Sequence, residues 1–443
     1  MTEIHACARL DLSTLARNFE DIHPPLTSAQ AVVEAERCHH CYDAPCVEAC
    51  PTGIDIPGFI GRIATGDLAG SARQILDSNI LGGSCARVCP TEILCEGACV
   101  RIAQEERAVE IGRLQRHAVD WQMVRGQPYG RAESSGRRIA VVGAGPAGLA
   151  CAHRLAMSGH EITIFERRAK PGGLNEYGIA AYKLVDDFAQ AEVDFILDIG
   201  GIAIEYGCEL GVNLSLDALR TEYDAVFLAI GQNGVRALDL AGEALPGVRN
   251  AVDFIAELRQ ATNKSDMAVG RRVVVIGGGN TAVDAAVQSK RLGAEDVTLV
   301  YRRGPETMSA TRDEQEWAAT NGVLIRHWAS PVAIEAGVNN EIDVVFHKGA
   351  PGPDGQPRYD RGALRITADM VLKAVGQIFT QEGLAIECES GRIRVDAKGR
   401  TSLPRVYAGG DCVAGMDLTV AAVAMGRNAA MAINTEFKER AHG

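Results

Sequence analysis

The sequence lacks the features that would place the chain in a membrane or on nucleic acid. No run of apolar residues reaches the roughly 18 that a membrane span requires. The 45 Lys and Arg are outnumbered by 57 Asp and Glu, and the net charge of -12 argues against a nucleic-acid or anionic-membrane surface. The first residues, among them Glu3, His5, Arg9 and Asp11, do not form the apolar core of a secretory signal. We therefore expect a cytoplasmic protein.

Low-complexity segments are also missing, and a composition with 47% hydrophobic and 23% charged residues is ordinary for a soluble globular protein. A chain of 443 residues predicts about three domains, at roughly 100 to 200 residues each. The composition of residues 126–136 predicts a linker. Two buried parallel strands are predicted to begin at Arg138 and Arg272, and each is followed by glycines. We predict an α/β fold in which a helical N-terminal domain precedes two Rossmann-like domains. The predicted boundaries are 1–130 for the helical domain, 137–235 with 377–443 for the first nucleotide-binding domain, and 236–376 for the second, which is inserted.

Eight of the 13 cysteines lie between Cys38 and Cys99. In a reducing cytosol this concentration indicates metal or redox ligation rather than disulfides. The two groups have the spacings Cys38-x2-Cys41-x4-Cys46-x3-Cys50 and Cys85-x3-Cys89-x5-Cys95-x3-Cys99, with proline after Cys50 and after Cys89.

These spacings are typical of 4Fe-4S ligation. In two-cluster runs the fourth cysteine of a group crosses to the other cluster, which predicts crossed ligation here. Two tetrahedral zinc sites of four cysteines each are the alternative. Iron-sulfur chemistry is favoured because zinc offers no use for a cysteine module fused to two redox nucleotide folds.

The first nucleotide fold carries a glycine-rich turn between a strand and a helix. This context turns a weak Gly-x-Gly-x-x-Gly pattern into a strong one, because the helix N-terminus stabilises the charge of a pyrophosphate. Glu166 ends the next strand, where an acidic side chain accepts hydrogen bonds from an adenosine ribose. The residues of the turn are Gly143, Ala144, Gly145, Pro146, Ala147 and Gly148.

A second turn of this kind predicts a second nucleotide. At the end of its next strand, where an acid would bind a free ribose, the chain has Arg302 and Arg303. Paired arginines fit a 2′-phosphate and favour NADPH, with Arg312 as a third contact; NADH and a solvated basic turn remain alternatives. The residues of this turn are Gly277, Gly278, Gly279, Asn280 and Thr281.

Three segments, Cys38–Cys50, Cys89–Cys99 and Ile111–Arg116, resemble the small subunit of bacterial NAD(P)-dependent dihydropyrimidine dehydrogenase. More distantly, the chain resembles the glutamate synthase small subunit. Gln115 favours the pyrimidine branch, because the glutamate synthase relatives tend to have glutamate at this step. The resemblance implies one cluster held by Cys38, Cys41, Cys46 and Cys99, and another held by Cys50, Cys89, Cys95 and Gln115. Cys85 is then a spare buried thiol.

The resemblance also implies that the first nucleotide is FAD. Its implied contacts include Asp411 on the ribitol and the start of the last helix near the flavin ring, where a positive helix end stabilises a reduced ring. Lys183 stands where the family usually has arginine, which keeps the charge and loses the bidentate fork. The implied flavin contacts are Gly173, Leu174, Lys183, Leu210, Gly410, Asp411 and Thr419, and the stretch implied to return toward the nicotinamide is Ala374, Val375 and Gly376.

Taken with the resemblance, these motifs predict an electron-input subunit. It would oxidise NAD(P)H through FAD and deliver single electrons through two 4Fe-4S clusters to a separate FMN-containing subunit that reduces uracil or thymine. We expect a hetero-oligomer, with no nucleic acid or membrane partner. Hydride transfer requires placement rather than proton abstraction, so we name no catalytic acid or base. A glutamate synthase small subunit, another NAD(P)H:acceptor subunit and a scaffold with vestigial nucleotide folds are the alternatives.

Overall fold

The computed structural model describes residue 7 and residues 9–353, 356–380 and 384–442. It divides the chain into two compact units. The cysteine-containing unit consists of His23–Glu176, Asp186–Asn233 and Phe379–Gly443, and the inserted unit consists of Met1–Ile22, Tyr177–Val185 and Gly234–Ile378. The cysteine cluster and the first nucleotide fold therefore share one unit. The predicted domain boundaries, at 130, 137, 235/236 and 376/377, stay predictions.

Helices and strands alternate through most of the described chain. The helices are α1 (Leu12–Asn18), α2 (Ser28–Ala35), α3 (Pro45–Glu48), α4 (Ile56–Ala64), α5 (Leu68–Ser78), α6 (Gly82–Val88), α7 (Ile102–Glu105), α8 (Ile111–Met123), α9 (Pro146–Met157), α10 (Leu174–Tyr177), α11 (Phe188–Leu197), α12 (Leu216–Glu222), α13 (Ala251–Gln260), α14 (Asn280–Arg291), α15 (Arg312–Thr320) and α16 (Thr419–His442). The strands are β1 (Arg138–Val142), β2 (Glu161–Glu166), β3 (Ile202–Tyr206), β4 (Ala225–Leu228), β5 (Gly234–Val235), β6 (Val248–Asn250), β7 (Arg272–Gly277), β8 (Asp296–Val300), β9 (Leu324–Arg326), β10 (Ala329–Ala336), β11 (Ile342–Lys348), β12 (Ala350–Pro351), β13 (Pro357–Arg358), β14 (Ala363–Ala368), β15 (Met370–Ala374), β16 (Gln377–Ile378), β17 (Cys388–Glu389), β18 (Arg392–Ile393) and β19 (Val406–Ala408).

Three helices of the cysteine region begin at capping side chains. Thr27 and Gln30 form a capping box at the start of α2, and Asp55 and Asp67 accept backbone N–H groups at the starts of α4 and α5. The apolar faces of α4, α5 and α8 pack together, and Phe59, Ile60, Ile75 and Leu114 are fully buried between them. Burial of each of these side chains stabilises the fold by roughly 1.5–3 kcal/mol. This small core supports the loops that carry the cysteines.

The first nucleotide fold is a five-stranded parallel sheet with the order β19-β4-β1-β2-β3. Residues 139–142 of β1 are buried, as expected for a parallel strand covered on both faces. Helices α9 and α16 pack against each other in this unit. The carboxyl ends of β1 and β4 lie side by side at the glycine-rich turn, which is where doubly wound sheets bind ligands.

The inserted unit contains a second parallel sheet with the order β6-β15-β7-β8-β9 and an antiparallel sheet with the order β10-β11-β14. Residues 273–276 of β7 form its buried centre, flanked in register by β15 and β8. The structure thus confirms the predicted class of a helical N-terminal region followed by two Rossmann-like folds. Across the residues that the structure describes, no helix is both long and apolar enough to cross a membrane.

Candidate redox centres

Four cysteines line one cavity at the edge of the helical core. They are Cys38, Cys41, Cys46 and Cys99, the set that the resemblance assigns to one cluster. The rest of the lining is mostly apolar and includes Ile56, Ile60, Val109 and Ile111, together with the polar His39 and Arg101. Burial raises the pKa of Cys46 to about 11, with further contributions from Cys38 and Cys99. Without a metal the Cys46 thiol keeps its proton, because a cation is needed to stabilise a thiolate in this buried position.

A second cavity brings together Cys50, Cys89, Cys95 and Gln115, the other predicted ligand set. Cys85, which the sequence leaves as a spare, also lines this cavity. It precedes Cys89 by one helical turn, and its carbonyl accepts the Cys89 N–H at 3.0 Å. A side-chain hydrogen bond with Cys85, followed by burial, raises the pKa of Cys89 well above its usual range. Four thiols and one amide are therefore available where four ligands are needed.

The amide of Gln115 is held in one orientation. Its Nε2 donates to the carbonyl oxygen of Gly82 at 2.7 Å, and the residue is only 7% exposed. A carbonyl only accepts, so the NH2 end of the amide faces Gly82 and the oxygen Oε1 is the end left for a ligand. The spacing of the cysteines gave no indication of this hydrogen bond.

The linings of the two cavities fit iron-sulfur ligation. Each cavity is lined by several cysteines together with apolar side chains. Sulfur donors in an apolar lining are the ligand chemistry of iron-sulfur proteins.

The glycines of the first turn have separate structural roles. A Cβ on Gly143 would lie 2.4 Å from the carbonyl oxygen of Ala229, and one on Gly148 would lie 2.0 Å from that of Gly143. Neither position has room for a side chain. At Gly145 the nearest atom to such a Cβ is the Cα of Gly173, 3.8 Å away. The open space beside Gly145, at the N-terminus of α9, is where a pyrophosphate would approach the backbone.

Glu166 ends β2 as the sequence predicts and is buried. One carboxylate oxygen accepts the Ala144 N–H at 2.8 Å and the other accepts the Arg168 N–H at the same distance. A carboxylate has about four acceptor sites, so the side chain retains capacity for ribose hydroxyls. Glu166 therefore also fixes the glycine-rich turn, a role that the sequence pattern did not reveal.

Gly410 and Asp411 follow β19 at the carboxyl edge of the same sheet. Gly410 adopts a φ of +77°, which favours glycine. Burial, and then the charge of Asp417, raises the pKa of Asp411 to about 6. Thr419 begins α16, and its hydroxyl donates to Oδ1 of Asn175 at 3.0 Å. These residues belong to the unit that carries the glycine-rich turn, together with Gly173 and Leu174.

The two remaining implied flavin contacts lie in different units. Leu210 belongs to the cysteine-containing unit, whereas Lys183 belongs to the inserted unit. There the Lys183 ammonium pairs with Asp284 at 2.8 Å and with Glu314 at 2.5 Å, and its side chain is 11% exposed. Burial alone would lower the pKa of Lys183, but the two carboxylates raise it above its ordinary value. The flavin roles of Lys183 and Leu210 stay predictions.

The second glycine-rich turn is also closely packed. A Cβ on Gly277 would lie 2.3 Å from the Ala374 carbonyl oxygen, and one on Gly278 would lie 2.3 Å from the Tyr301 ring. Gly279 is the N-cap residue of α14, whose first residues are Asn280 and Thr281. Because Ala374 pairs with Gly277 in the sheet, the structure brings residues 374–376 next to this turn.

The predicted phosphate-binding arginines follow β8 and are exposed. Nε of Arg303 donates to the Tyr301 hydroxyl at 3.1 Å, which anchors the side chain. Arg302 and Arg312 make no ion pair with any carboxylate in the part of the chain that the structure describes. Their positive charges are therefore available to an anionic ligand. The sequence analysis did not predict that Tyr301 would anchor an arginine. Its position between the end of β8 and the two arginines could have indicated this role.

Comparisons with known proteins match two families along the chain. The family described as pyridine nucleotide-disulphide oxidoreductase matches residues 137–426. The family described as dihydropyrimidine dehydrogenase domain II, 4Fe-4S cluster, matches residues 15–127.

Two curated relatives match nearly the whole chain. The NAD-dependent dihydropyrimidine dehydrogenase subunit PreT of Salmonella typhimurium is 35% identical over 425 residues, covering 95% of this chain and 98% of the relative. The NADPH glutamate synthase small chain of Escherichia coli is 35% identical over 438 residues, covering 93% and 92%.

Among solved structures, FprA from Mycobacterium tuberculosis in complex with NADPH has a TM-score of 0.57 at 22% identity, covering 69% of this chain and 86% of that one. Thioredoxin reductase from T. acidophilum has a TM-score of 0.53 at 20% identity, covering 68% and 99%. These two likenesses concern the fold alone. The sequence matches go further: the chain belongs to the pyridine nucleotide-disulphide oxidoreductase family, as an NAD(P)-dependent FAD oxidoreductase with an N-terminal 4Fe-4S domain, and groups with the dihydropyrimidine dehydrogenase PreT subunits and the glutamate synthase small chains.

Proposed function

We propose that the chain is the electron-input subunit of a dihydropyrimidine dehydrogenase. It oxidises NAD(P)H and passes single electrons through two 4Fe-4S clusters to a partner FMN subunit, which reduces uracil or thymine to the 5,6-dihydropyrimidine in a reversible reaction. The observation that carries the proposal is the pair of cysteine-lined cavities in the same unit as the FAD turn. A cytoplasmic location and a hetero-oligomer belong to the same proposal.

The residues around the first turn fit FAD. Gly145 leaves room for the pyrophosphate, Glu166 offers acceptors to the ribose, and Asp411 follows β19 at the same edge of the sheet. When bound, FAD accepts two electrons together from a nicotinamide and releases them one at a time. The protein positions FAD and the nicotinamide relative to each other. The N-terminus of α16 follows Asp411 in the chain.

The packing supports an order for electron transfer. Val420, in the first turn of α16, lines the second cavity and packs with Cys85 and Leu94. Ile56 lines both cavities. The second cluster would therefore be the first to receive an electron from the flavin side, and the first cluster would deliver it to the partner.

The choice of nicotinamide rests on the second site. Arg302 and Arg303 follow β8 at the position that faces an adenosine ribose, and their charges favour NADPH. The names of the relatives indicate different nucleotides: the PreT subunit is described as NAD-dependent, and the glutamate synthase chain as using NADPH. We propose NADPH as the preferred donor and NADH as the alternative.

A glutamate synthase small subunit is the second candidate. The 35% identity to that chain equals the identity to PreT, so overall similarity does not separate the two functions. Gln115 supports the pyrimidine enzyme, since its held amide is suited to ligate the second cavity.

The direct experiment is anaerobic co-purification of the tagged chain from its source cells, followed by assays with NADPH. We expect a partner that contains FMN and NADPH oxidation that depends on uracil or thymine. Oxidation that depends on 2-oxoglutarate and glutamine would instead identify the glutamate synthase function. The isolated chain with Gly145→Ala is the control, because it should fold but bind FAD more weakly, and its NADPH-dependent dye reduction should fall accordingly.

A further inference from the structure

Arg427 of α16 lies against the loop that follows Cys50. Its Nη1 donates to the carbonyl oxygens of Thr52 at 2.8 Å and of Ser78 at 2.7 Å. The neighbouring Gly426 leaves no room for a side chain, because a Cβ there would lie 2.0 Å from the Ala147 carbonyl oxygen in the first turn of α9. The backbone of α16 is thereby held on α9, and the position of Arg427 is fixed.

The charge of Arg427 has no carboxylate partner within the described ranges, because its hydrogen bonds go to the two carbonyls and to Oδ1 of Asn428. Burial lowers the pKa of Arg427, Arg154 lowers it further, and the sulfur of Cys50 acts in the opposite direction. A partly buried cation beside a second cation is unfavourable unless negative charge is nearby. Cys50, which lines the second cavity, is one source of that charge.

Thr52 connects the arginine to this cavity. Its carbonyl accepts from Arg427, and its hydroxyl lies 3.2 Å from Sγ of Cys50. Thr52 is 3% exposed, so water does not screen this connection effectively. The guanidinium and the Cys50 sulfur are thus held to the same residue by two polar contacts.

We propose that Arg427 compensates the negative charge of the second cluster and raises its reduction potential. The inference rests on the proposed function, because it requires a cluster in that cavity. Reduction adds one electron and one negative charge to the cluster, so a fixed cation stabilises the reduced form more than the oxidised form. Net charge around a cluster is one of the determinants of its potential. Arg427 therefore favours electron transfer from the flavin side into the second cluster.

The test is an anaerobic redox titration of the full chain, followed by EPR, with three variants. Arg427→Gln removes the charge, Arg427→Lys keeps it, and Arg154→Gln removes the adjacent cation, which donates to the carbonyl of Asp77 instead. We expect Arg427→Gln to lower the midpoint potential of one of the two cluster signals by about 59 mV, a tenfold change for one electron. Arg427→Lys should keep the midpoint potential close to that of the unsubstituted protein, and Arg154→Gln should change the potential little.

The remaining outcomes also decide the matter. Equal shifts in the Gln and Lys variants, or no shift in Arg427→Gln, would overturn the role of the charge. Loss of the second cluster from Arg427→Gln but not from Arg427→Lys would support it, whereas loss from both would assign Arg427 a purely structural role and overturn the inference. Iron content of the unsubstituted protein tests the proposed function separately, since a chain with a single cluster contradicts that function whatever the variants do.

Discussion

Gln115 and Gly82 share a hydrogen bond of 2.7 Å in which the side-chain amide of Gln115 donates to the Gly82 carbonyl oxygen. This contact turns the amide oxygen toward the cavity that Cys50, Cys89 and Cys95 line. A side chain already held by one hydrogen bond loses little conformational freedom when it binds a metal. The same cavity also contains Cys85, so the two candidates for the fourth ligand are within one site.

Replacement of Gln115 should therefore affect one cluster. We expect Gln115→Ala to lower the iron content from about eight toward four per chain, or to change one EPR signal, because the second cube loses a ligand. The matched control is Cys85→Ala, which should keep both clusters. Loss of a cluster in Cys85→Ala with no change in Gln115→Ala would assign the fourth ligand to Cys85 instead.

The arginines after β8 should set the preference for NADPH. We expect the double variant Arg302→Glu with Arg303→Ala to lower kcat/KM for NADPH and to leave that for NADH much less affected. Loss of each charged hydrogen bond to a phosphate costs about 1.5–3 kcal/mol. Steady-state kinetics with both nucleotides measures the ratio. The control is Arg271→Ala, which changes an exposed arginine just before β7, at the opposite end of the sheet from the nucleotide turn. An unchanged ratio would make both arginines surface charges without a role in specificity.

Replacement of Gly145 should weaken FAD binding without affecting folding. We expect Gly145→Ala to fold normally, because its φ of -80° suits alanine and its Cβ would contact nothing closer than 3.8 Å. The added methyl would occupy the space of the pyrophosphate and weaken FAD binding on the order of tenfold, about 1.4 kcal/mol. Fluorescence titration of FAD into the apoprotein measures the effect.

Two other glycines provide controls for this experiment. Gly130→Ala should change nothing, since no atom lies within 4 Å of its Cβ position. Gly148→Ala should prevent folding of the turn, because its Cβ would lie 2.0 Å from a carbonyl oxygen. Full FAD affinity in Gly145→Ala would contradict the assignment of the pyrophosphate position.

The ion group of Lys183, Asp284 and Glu314 should stabilise the inserted unit. Lys183→Met removes the cation that pairs with the buried Asp284 and the partly buried Glu314, and we expect a loss of about 3–5 kcal/mol in the free energy of unfolding. A second substitution, Asp284→Asn, should recover part of that loss by removing one negative charge. Thermal unfolding monitored by circular dichroism compares the variants.

The pH dependence of this contribution follows from the direction of the pKa shift. The folded-state pKa of Lys183 is raised above its unfolded value, so the stabilisation is complete at neutral pH. It is lost only when the pH rises through the raised pKa, in strongly alkaline solution. If Lys183→Met caused no loss of stability at neutral pH, the ion pairs would not stabilise the unit as predicted.

The fold class, the cysteine ligands and the nucleotide turns could be predicted from the sequence alone. The spacing of the cysteines restricts which of them can share a short loop. An apolar strand followed by glycines and a helix is rarely anything other than a nucleotide-binding turn, so both turns were predictable. The positions of Glu166 and Arg302 followed from the same pattern, because the length of a strand–helix–strand unit sets where the next strand ends.

Only the tertiary structure decided which groups meet across the chain. The hydrogen bond of Gln115 to Gly82, the presence of Cys85 in the second cavity and the pairing of Lys183 with Asp284 and Glu314 join residues of separate elements. The contact of Arg427 with Thr52 spans 375 positions. No local pattern encodes such pairs, because they depend on how helices pack, and packing depends on the shapes of many side chains together.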